Sequence, residues 1–166
     1  LALPNASLEC EVGADPGDDV ALAVSMNAGA PAQPLAKIAS GGELARTMLA
    51  MRLVLSGDPA TMVFDEVDAG VGGAAAQAVG AALGRLGGER QVLVVTHLAQ
   101  VAAHADNQIT VVKEDDGKMV SVSASALDAE ARIVELSRML SGSPESDSAR
   151  EHAAELLRDA AALKPT

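Results

Sequence analysis

The chain has 166 residues, near the size of one ordinary domain and long enough to bury roughly 70 % of its unfolded surface without disulfide or metal staples. Hydrophobic residues make up 49 % and charged residues 21 %, which excludes wholesale disorder; the net charge of −11, from 12 Lys+Arg against 23 Asp+Glu, excludes a stand-alone binder of phosphate backbones. Phe64 is the sole aromatic residue, so base stacking on aromatic rings is excluded and the core has to be aliphatic.

In chain order, alternating stretches over 8–12 and 20–25 predict two strands around a Gly/Asp/Pro turn, 13–19. Gly29, Pro31 and Pro34 mark 27–34 as a loop. Leu44, Met48, Met51 and Leu55 share one face of a helix predicted over 41–55, which Gly57-Asp58-Pro59 stops. Residues 61–64 form a short apolar strand ending in Asp65-Glu66. A turn with Gly70, Gly72 and Gly73 leads into a second helix, to about Leu86, closed by Gly87-Gly88. The unbroken apolar run 92–95 predicts a strand buried on both faces. Thr96-His97 follows, then a short helical pattern to Ala105. Stretches 109–113 and 119–123 flank Asp115-Asp116-Gly117, a hairpin signal. Helices over 129–140 and 147–163 finish the chain, separated by Ser143-Pro144-Glu145, with Ser148 and Glu151 at capping-box spacing. Strands alternating with helices predict an α/β fold, its sheet mainly parallel and flanked by helices, with a β-hairpin at one side. The single cysteine, Cys10, fits a reducing compartment, and neither a membrane-length apolar run nor a signal peptide is visible, so a cytoplasmic protein without membrane contact is expected. A start at Leu1 rather than Met is what a segment of a longer protein would show.

Three places can carry chemistry. Ser40-Gly41-Gly42-Glu43 opens the first long helix with capping-box spacing. Its two glycines cost about 1 kcal/mol each in helix propensity, a cost that makes sense where bare backbone must approach an anion at a helix start. The structural alternative is an ordinary cap. Asp65-Glu66 ends an apolar strand, with Asp68 close behind; ligands of open α/β sheets gather at such strand ends, where one carboxylate can hold magnesium and its neighbour can deprotonate water. The alternative is a solvated acidic turn. His97, also at a strand's carboxyl end, can reach a phosphate or a water; the alternative is a structural histidine, the role expected of His104 and His152.

In this order the three elements resemble the signature motif, Walker B motif, D-loop and H-loop of the ABC-type ATPase head. The wording of Pro34 to Arg46, Val63 to Gly73, Val95 to Ala102 and Ser146 to Ala153 is similar to the RecN family, the SMC-like branch acting in DNA double-strand-break repair and recombination. The resemblance runs from about Leu8 to Leu157. It implies that the whole of 1–166 is the C-terminal lobe of a P-loop ATPase head whose Walker A half, Q-loop and coiled coil lie elsewhere, since no Gly-x-x-x-x-Gly-Lys-Ser/Thr motif occurs here. It also implies ATP and Mg²⁺ as cofactors, both requiring that other half. Ser40, Gly41, Gly42 and Glu43 would contact ATP held by a second head, with Asp68 in the D-loop at the dimer interface. Asp65 would support the magnesium, Glu66 would be the general base, and His97 would sense the γ-phosphate. The implied partners are the Walker A half, a second head in an ATP-dependent dimer, and DNA through the full assembly, which would be nucleoid-associated. Two other functions fit fewer of these residues. One is a magnesium-dependent phosphohydrolase or nuclease using Glu66 and Asp68; the other is a non-catalytic head-like dimerisation module.

Overall fold

A computed structural model describes residues 5–15, 19–37, 44, 47–51, 54, 60–65, 67–115 and 119–163. Ser40 to Glu43, Glu66, the stop at Gly57-Asp58-Pro59 and the hairpin tip at Asp116-Gly117 lie outside them.

Strands β1 (Ser7–Val12) and β2 (Val20–Ser25) pair antiparallel from Ser7↔Ser25 to Val12↔Val20. A two-residue strand, β3 (Gln33–Pro34), joins β2 within the stretch predicted as loop, and a 3-10 turn (Leu35–Lys37) follows. Next in the chain, Leu44, residues 47–51 and Val54 are helical, as predicted. Their burial departs from the predicted stripe: Leu49 is the inward residue, Met48 is exposed, and Leu44 and Met51 are half-buried.

Strand β4 (Thr61–Phe64) runs parallel to β5 (Gln91–Val94), in register from Thr61↔Gln91 to Phe64↔Val94. Helix α1 (Gly73–Gly87) makes the crossover between them. Met62 and Phe64 point to one face and pack with Leu49, Val67, Val71, Val79, Leu83, Leu86 and Val101. Burying side chains of this size stabilises by about 1.5–3 kcal/mol each. A short helix, α2 (Ala99–Ala102), sits between this core and a second one. The second core joins Ala99, Ala102 and Ala103 to Leu136 of α3 (Ala129–Ser141) and Ala153, Leu156 and Ala160 of α4 (Asp147–Ala162). Between α2 and α3 lies a hairpin of β6 (Ile109–Asp115) and β7 (Val120–Ala126). No described helix is long and apolar enough to cross a membrane.

Three expectations need correction. The sheet is not mainly parallel: among the described residues, β4 and β5 are the one parallel pair, and the other pairings are antiparallel. A parallel return needs about a dozen residues or more of crossover, and the links 13–19 and 116–119 are too short for one. Residues 92–95 are not buried on both faces either. Val92 and Val94 turn toward the core, whereas Leu93 (49 % exposed) and Val95 (61 %) share with Val63 (60 %) a face that no described residue covers. Finally, the last helix is capped by Ser146, whose Oγ accepts from Ala149 N at 3.3 Å, and not by Ser148. Chain entry sets the cap: helical geometry begins at Asp147, so Ser146 is the extended residue whose hydroxyl faces the orphan amides.

The contact between α1 and α2 depends on a glycine. A Cβ on Gly80 would stand 2.5 Å from His104 Cδ2 and 2.9 Å from the Gln100 carbonyl oxygen, and the second of these is backbone that cannot step aside. Gly87, at the open end of the same helix, has nothing within 4 Å. Gly80→Ala is therefore expected to lose about 1–3 kcal/mol by overpacking, despite the better helix propensity of Ala. Gly87→Ala is expected to be neutral or to gain up to about 1 kcal/mol. Urea unfolding of the two variants measures the contrast, and equal midpoints would contradict the close approach.

Candidate functional site

Parallel pairing brings the carboxyl ends of β4 and β5 side by side, and the pairing continues one step further as Val95 N donates to Phe64 O at 2.9 Å. Asp65 leaves β4 there as an exposed side chain. The chain then turns through 67–70, closed by Val71 N donating to Asp68 O at 3.1 Å, with Gly70 at φ +66°, a conformation that L side chains rarely adopt. This turn points Asp68 inward; it is 3 % exposed.

Two donors from the end of β5 meet one oxygen of that carboxylate, and an imidazole nitrogen lies close to it. Thr96 Oγ1 donates a short hydrogen bond to Asp68 Oδ2. His97 N donates to the same oxygen at 3.1 Å, and His97 Nδ1 lies 3.2 Å from it. Thr96 Oγ1 in turn accepts from Leu98 N at 3.1 Å, and Leu98 is the cap residue of α2. A buried carboxylate is costly unless it is hydrogen-bonded; here a hydroxyl and an amide take the place of water, with the imidazole beside them. The His97 ring itself is 74 % exposed, so its base is fixed while its outer edge faces solvent.

Helix α2 is held from behind. Arg132 Nη2 of α3 donates to the carbonyls of Ala105 (2.6 Å), Ala102 (3.1 Å) and Ala103 (3.3 Å), closing the end of α2. Burial lowers the Arg132 pKa, partly countered by Asp106, yet the group stays a cation and suits a helix carboxyl end.

Of the residues singled out in the sequence, the structure brings together Asp65, Asp68 and His97 at adjoining strand ends. Asp65 offers one exposed hard oxygen donor, enough to serve as the single protein carboxylate of a Mg²⁺ whose other ligands are water and phosphate. Among the described residues no cluster of three or more metal-ligating side chains occurs. His104, expected to be structural, is buried against Gly80 and Gly84, and His152 lies exposed on α4 with Nδ1 3.5 Å from Glu155. Sequence reasoning missed Thr96 as the partner of Asp68 and Arg132 as the lock on α2. A threonine beside a strand-end histidine is a readable signal for the first; the second has no local signal.

No family model matches the chain. It is 53 % identical over 152 residues to the DNA repair protein RecN of Streptomyces coelicolor, covering 90 % of this chain and 27 % of the relative. To RecN of Treponema pallidum it is 50 % identical (85 % and 25 % covered), and to RecN of Deinococcus radiodurans 49 % (95 % and 29 %). The chain thus spans little more than a quarter of the curated relatives it matches. Its fold is similar to that of a structure from work on ATP-driven dimerization and DNA-stimulated activation of SMC ATPases, with TM-score 0.66 and 22 % identity over 82 % of this chain and 83 % of that one. The Smc head domain of Pyrococcus yayanosii, with a coiled coil and joint, gives TM-score 0.64 and 24 % identity over 81 % and 26 %. An ABC/SMC-type ATPase head is therefore the fold of this chain, at the level of an α/β architecture.

The hydrogen bonds at the site carry their own stability test. Thr96→Val removes the donor to Asp68 and the acceptor of Leu98 N in one step. It is expected to cost about 1–3 kcal/mol, against the roughly 0.5 kcal/mol or less of an ordinary surface change. Chemical denaturation decides between them.

Proposed function

Because the chain belongs to the RecN family of DNA repair proteins, matching about a quarter of its members' length, we propose that it is the C-terminal lobe of a RecN-like ATPase head. Joined to a Walker A half, it would hydrolyse ATP at a head–head interface in double-strand-break repair. The observation that carries this is the junction of two strand ends by Asp68, which sets the Asp65 end of β4 beside His97.

In this reading Asp65 holds Mg²⁺, Glu66 takes the proton of the attacking water, and His97 meets the γ-phosphate. Ser40, Gly41, Gly42 and Glu43 contact nucleotide on the opposite head through a hydroxyl and backbone amides at a helix start. Magnesium, when bound, neutralises charge developing on the phosphates. The lysine and phosphate-cradling loop come from the other half, since these 166 residues contain no Walker A motif. That half also gives the open strand faces a partner. Val63, Leu93 and Val95 on the β4/β5 pair, and Ile109, Val111 and Val122 on the hairpin, are exposed apolar side chains of a kind that sheets normally cover. DNA would be engaged by the full assembly in the cytoplasm and at the nucleoid, because an acidic lobe is a poor surface for it. The nuclease alternative loses its second carboxylate: Asp68 is buried and already committed to Thr96 and His97.

Two experiments on the assembled protein test this reading. Glu66→Gln should keep ATP binding but slow phosphate release by roughly 10²–10⁴-fold, about 3–5 kcal/mol of barrier, and ATP-bound dimers should accumulate in sedimentation. Near-normal turnover would remove Glu66 from this role. Ser40→Arg should abolish turnover while leaving the lobe folded, whereas loss of a mere cap costs about 1 kcal/mol and leaves activity. Mixing the Ser40→Arg and Glu66→Gln proteins should then restore up to about half of the activity per mixed dimer when the two sites fire independently, because one composite site is whole. Sedimentation of the mixed pair with ATP checks that it dimerises. Full activity of the Ser40→Arg homodimer would reduce Ser40 to a cap.

A further inference from the structure

The carboxylate of Asp68 does more than join two strand ends. We propose that Asp68 is a positioning residue for His97: within its own chain it holds the imidazole by Nδ1 and presents Nε2 outward. The proposal rests on the reading above only in giving Nε2 a γ-phosphate to meet.

The geometry supplies three arguments. First, Oδ2 lies 3.2 Å from Nδ1, and an ionised carboxylate accepts hydrogen bonds but has no proton to give. A neutral ring in this place therefore carries its proton on Nδ1, and the partner of one ring nitrogen fixes the state of the other. Second, the same oxygen accepts from His97 N at 3.1 Å, so backbone and ring of one residue are tied to a single point. Third, that point is rigid. Asp68 is buried, Thr96 links it to the amide of Leu98, and α2 beyond is packed between two cores and clamped by Arg132. Without this tie, a ring that is 74 % exposed would sample several rotamers and lose that freedom only when a ligand arrives. With it, the ring waits in one orientation, as metal-bound histidines do when a carboxylate holds their other ring nitrogen.

A place for Asp68 in a turn at a head–head interface is compatible with this role, since its carboxylate faces inward within its own chain. The backbone of the 67–70 turn is still free to line such an interface. Only the side chain is committed inward.

The experiment reads the tautomer directly. In the chain labelled with ¹⁵N on its histidine rings, long-range ¹H–¹⁵N correlation spectra are recorded at a pH where the rings are neutral. Disappearance of signals in His97→Gln assigns the ring among the three histidines. The wild-type ring is expected to show the Nδ1–H pattern, and Asp68→Asn, which is isosteric but uncharged, should shift the population toward Nε2–H. A wild-type ring in the Nε2–H form overturns the proposal without recourse to any variant. A second arm uses ATP turnover in the assembled protein. Asp68→Asn should lower kcat by roughly 10–100-fold, the usual worth of an orienting partner, with little change in KM. Combined with His97→Gln it should add nothing, because the two act as one unit. Losses that multiply would overturn the proposal. If the Nδ1–H pattern holds while His97→Gln turns over ATP normally, the positioning stands and the γ-phosphate role of His97 falls.

Discussion

The contact on which this site depends is the one between a buried carboxylate after β4 and the two residues that follow β5. Strand pairing alone would leave two chain ends side by side, diverging into separate turns. Asp68 ties them together, and its burial makes the tie demanding: a charge out of water is tolerated only while every donor stays in place. The cost of breaking any one bond therefore falls on all of them. That is why a turn, a threonine, a histidine and the start of α2 behave as a single unit rather than as four neighbours.

Behind the unit, the fold is asymmetric. One face of the β4/β5 pair is closed by α1, α2 and Leu49 through Met62 and Phe64, and a second core extends from α2 to α3 and α4. The other face is bare at Val63, Leu93 and Val95. An aliphatic core with one phenylalanine stabilises by many small contacts, and Gly80 shows how close they are: α2 approaches α1 to a distance that admits no methyl group. Among the described residues, the helix packing behind His97 comes from one side.

Much of this was legible in the sequence. Strand and helix limits follow from periodicity and glycine punctuation, so β4, α1, β5, α3 and α4 fall close to their expected places. The strand-end logic also put Asp65 and Asp68 at the carboxyl end of one strand and His97 at that of another, and the parallel pairing sets those ends side by side. What stayed hidden was three-dimensional pairing. An apolar run such as 92–95 reports hydrophobicity but not which face has a neighbour, so it read as doubly buried. Alternation of strands and helices suggested a mainly parallel sheet, yet among the described residues only β4 and β5 pair that way. The strands around the turn at 13–19 and the hairpin, both read in the sequence, form sheets of their own. Methionine spacing drew a stripe through Met48, yet Leu49 is the residue that packs with Phe64. The direction of Asp68 could not be read at all. Acidic residues in glycine-rich turns are usually solvated, and only the structure shows this one facing Thr96.

Electrostatics sets the last condition on the site. Asp65 stands exposed at the strand end where the proposed reading puts a triphosphate, on a chain of net charge −11. Like charges oppose such an approach, more strongly as water leaves the interface. A divalent cation on the Asp65 oxygen reverses the sign locally, and backbone amides at a helix start add partial positive charge without adding a side chain. His97 adds to this effect when its ring carries a second proton, and the ring's exposed edge is the part that would carry it outward. Neither the helix-start amides nor a neutral His97 ring supplies a full positive charge, and Arg132 is engaged with carbonyls at the end of α2. Under the proposed reading the Walker A lysine of the other half adds a permanent cation beside the triphosphate, which offsets the negative charge that this acidic lobe brings to the same place.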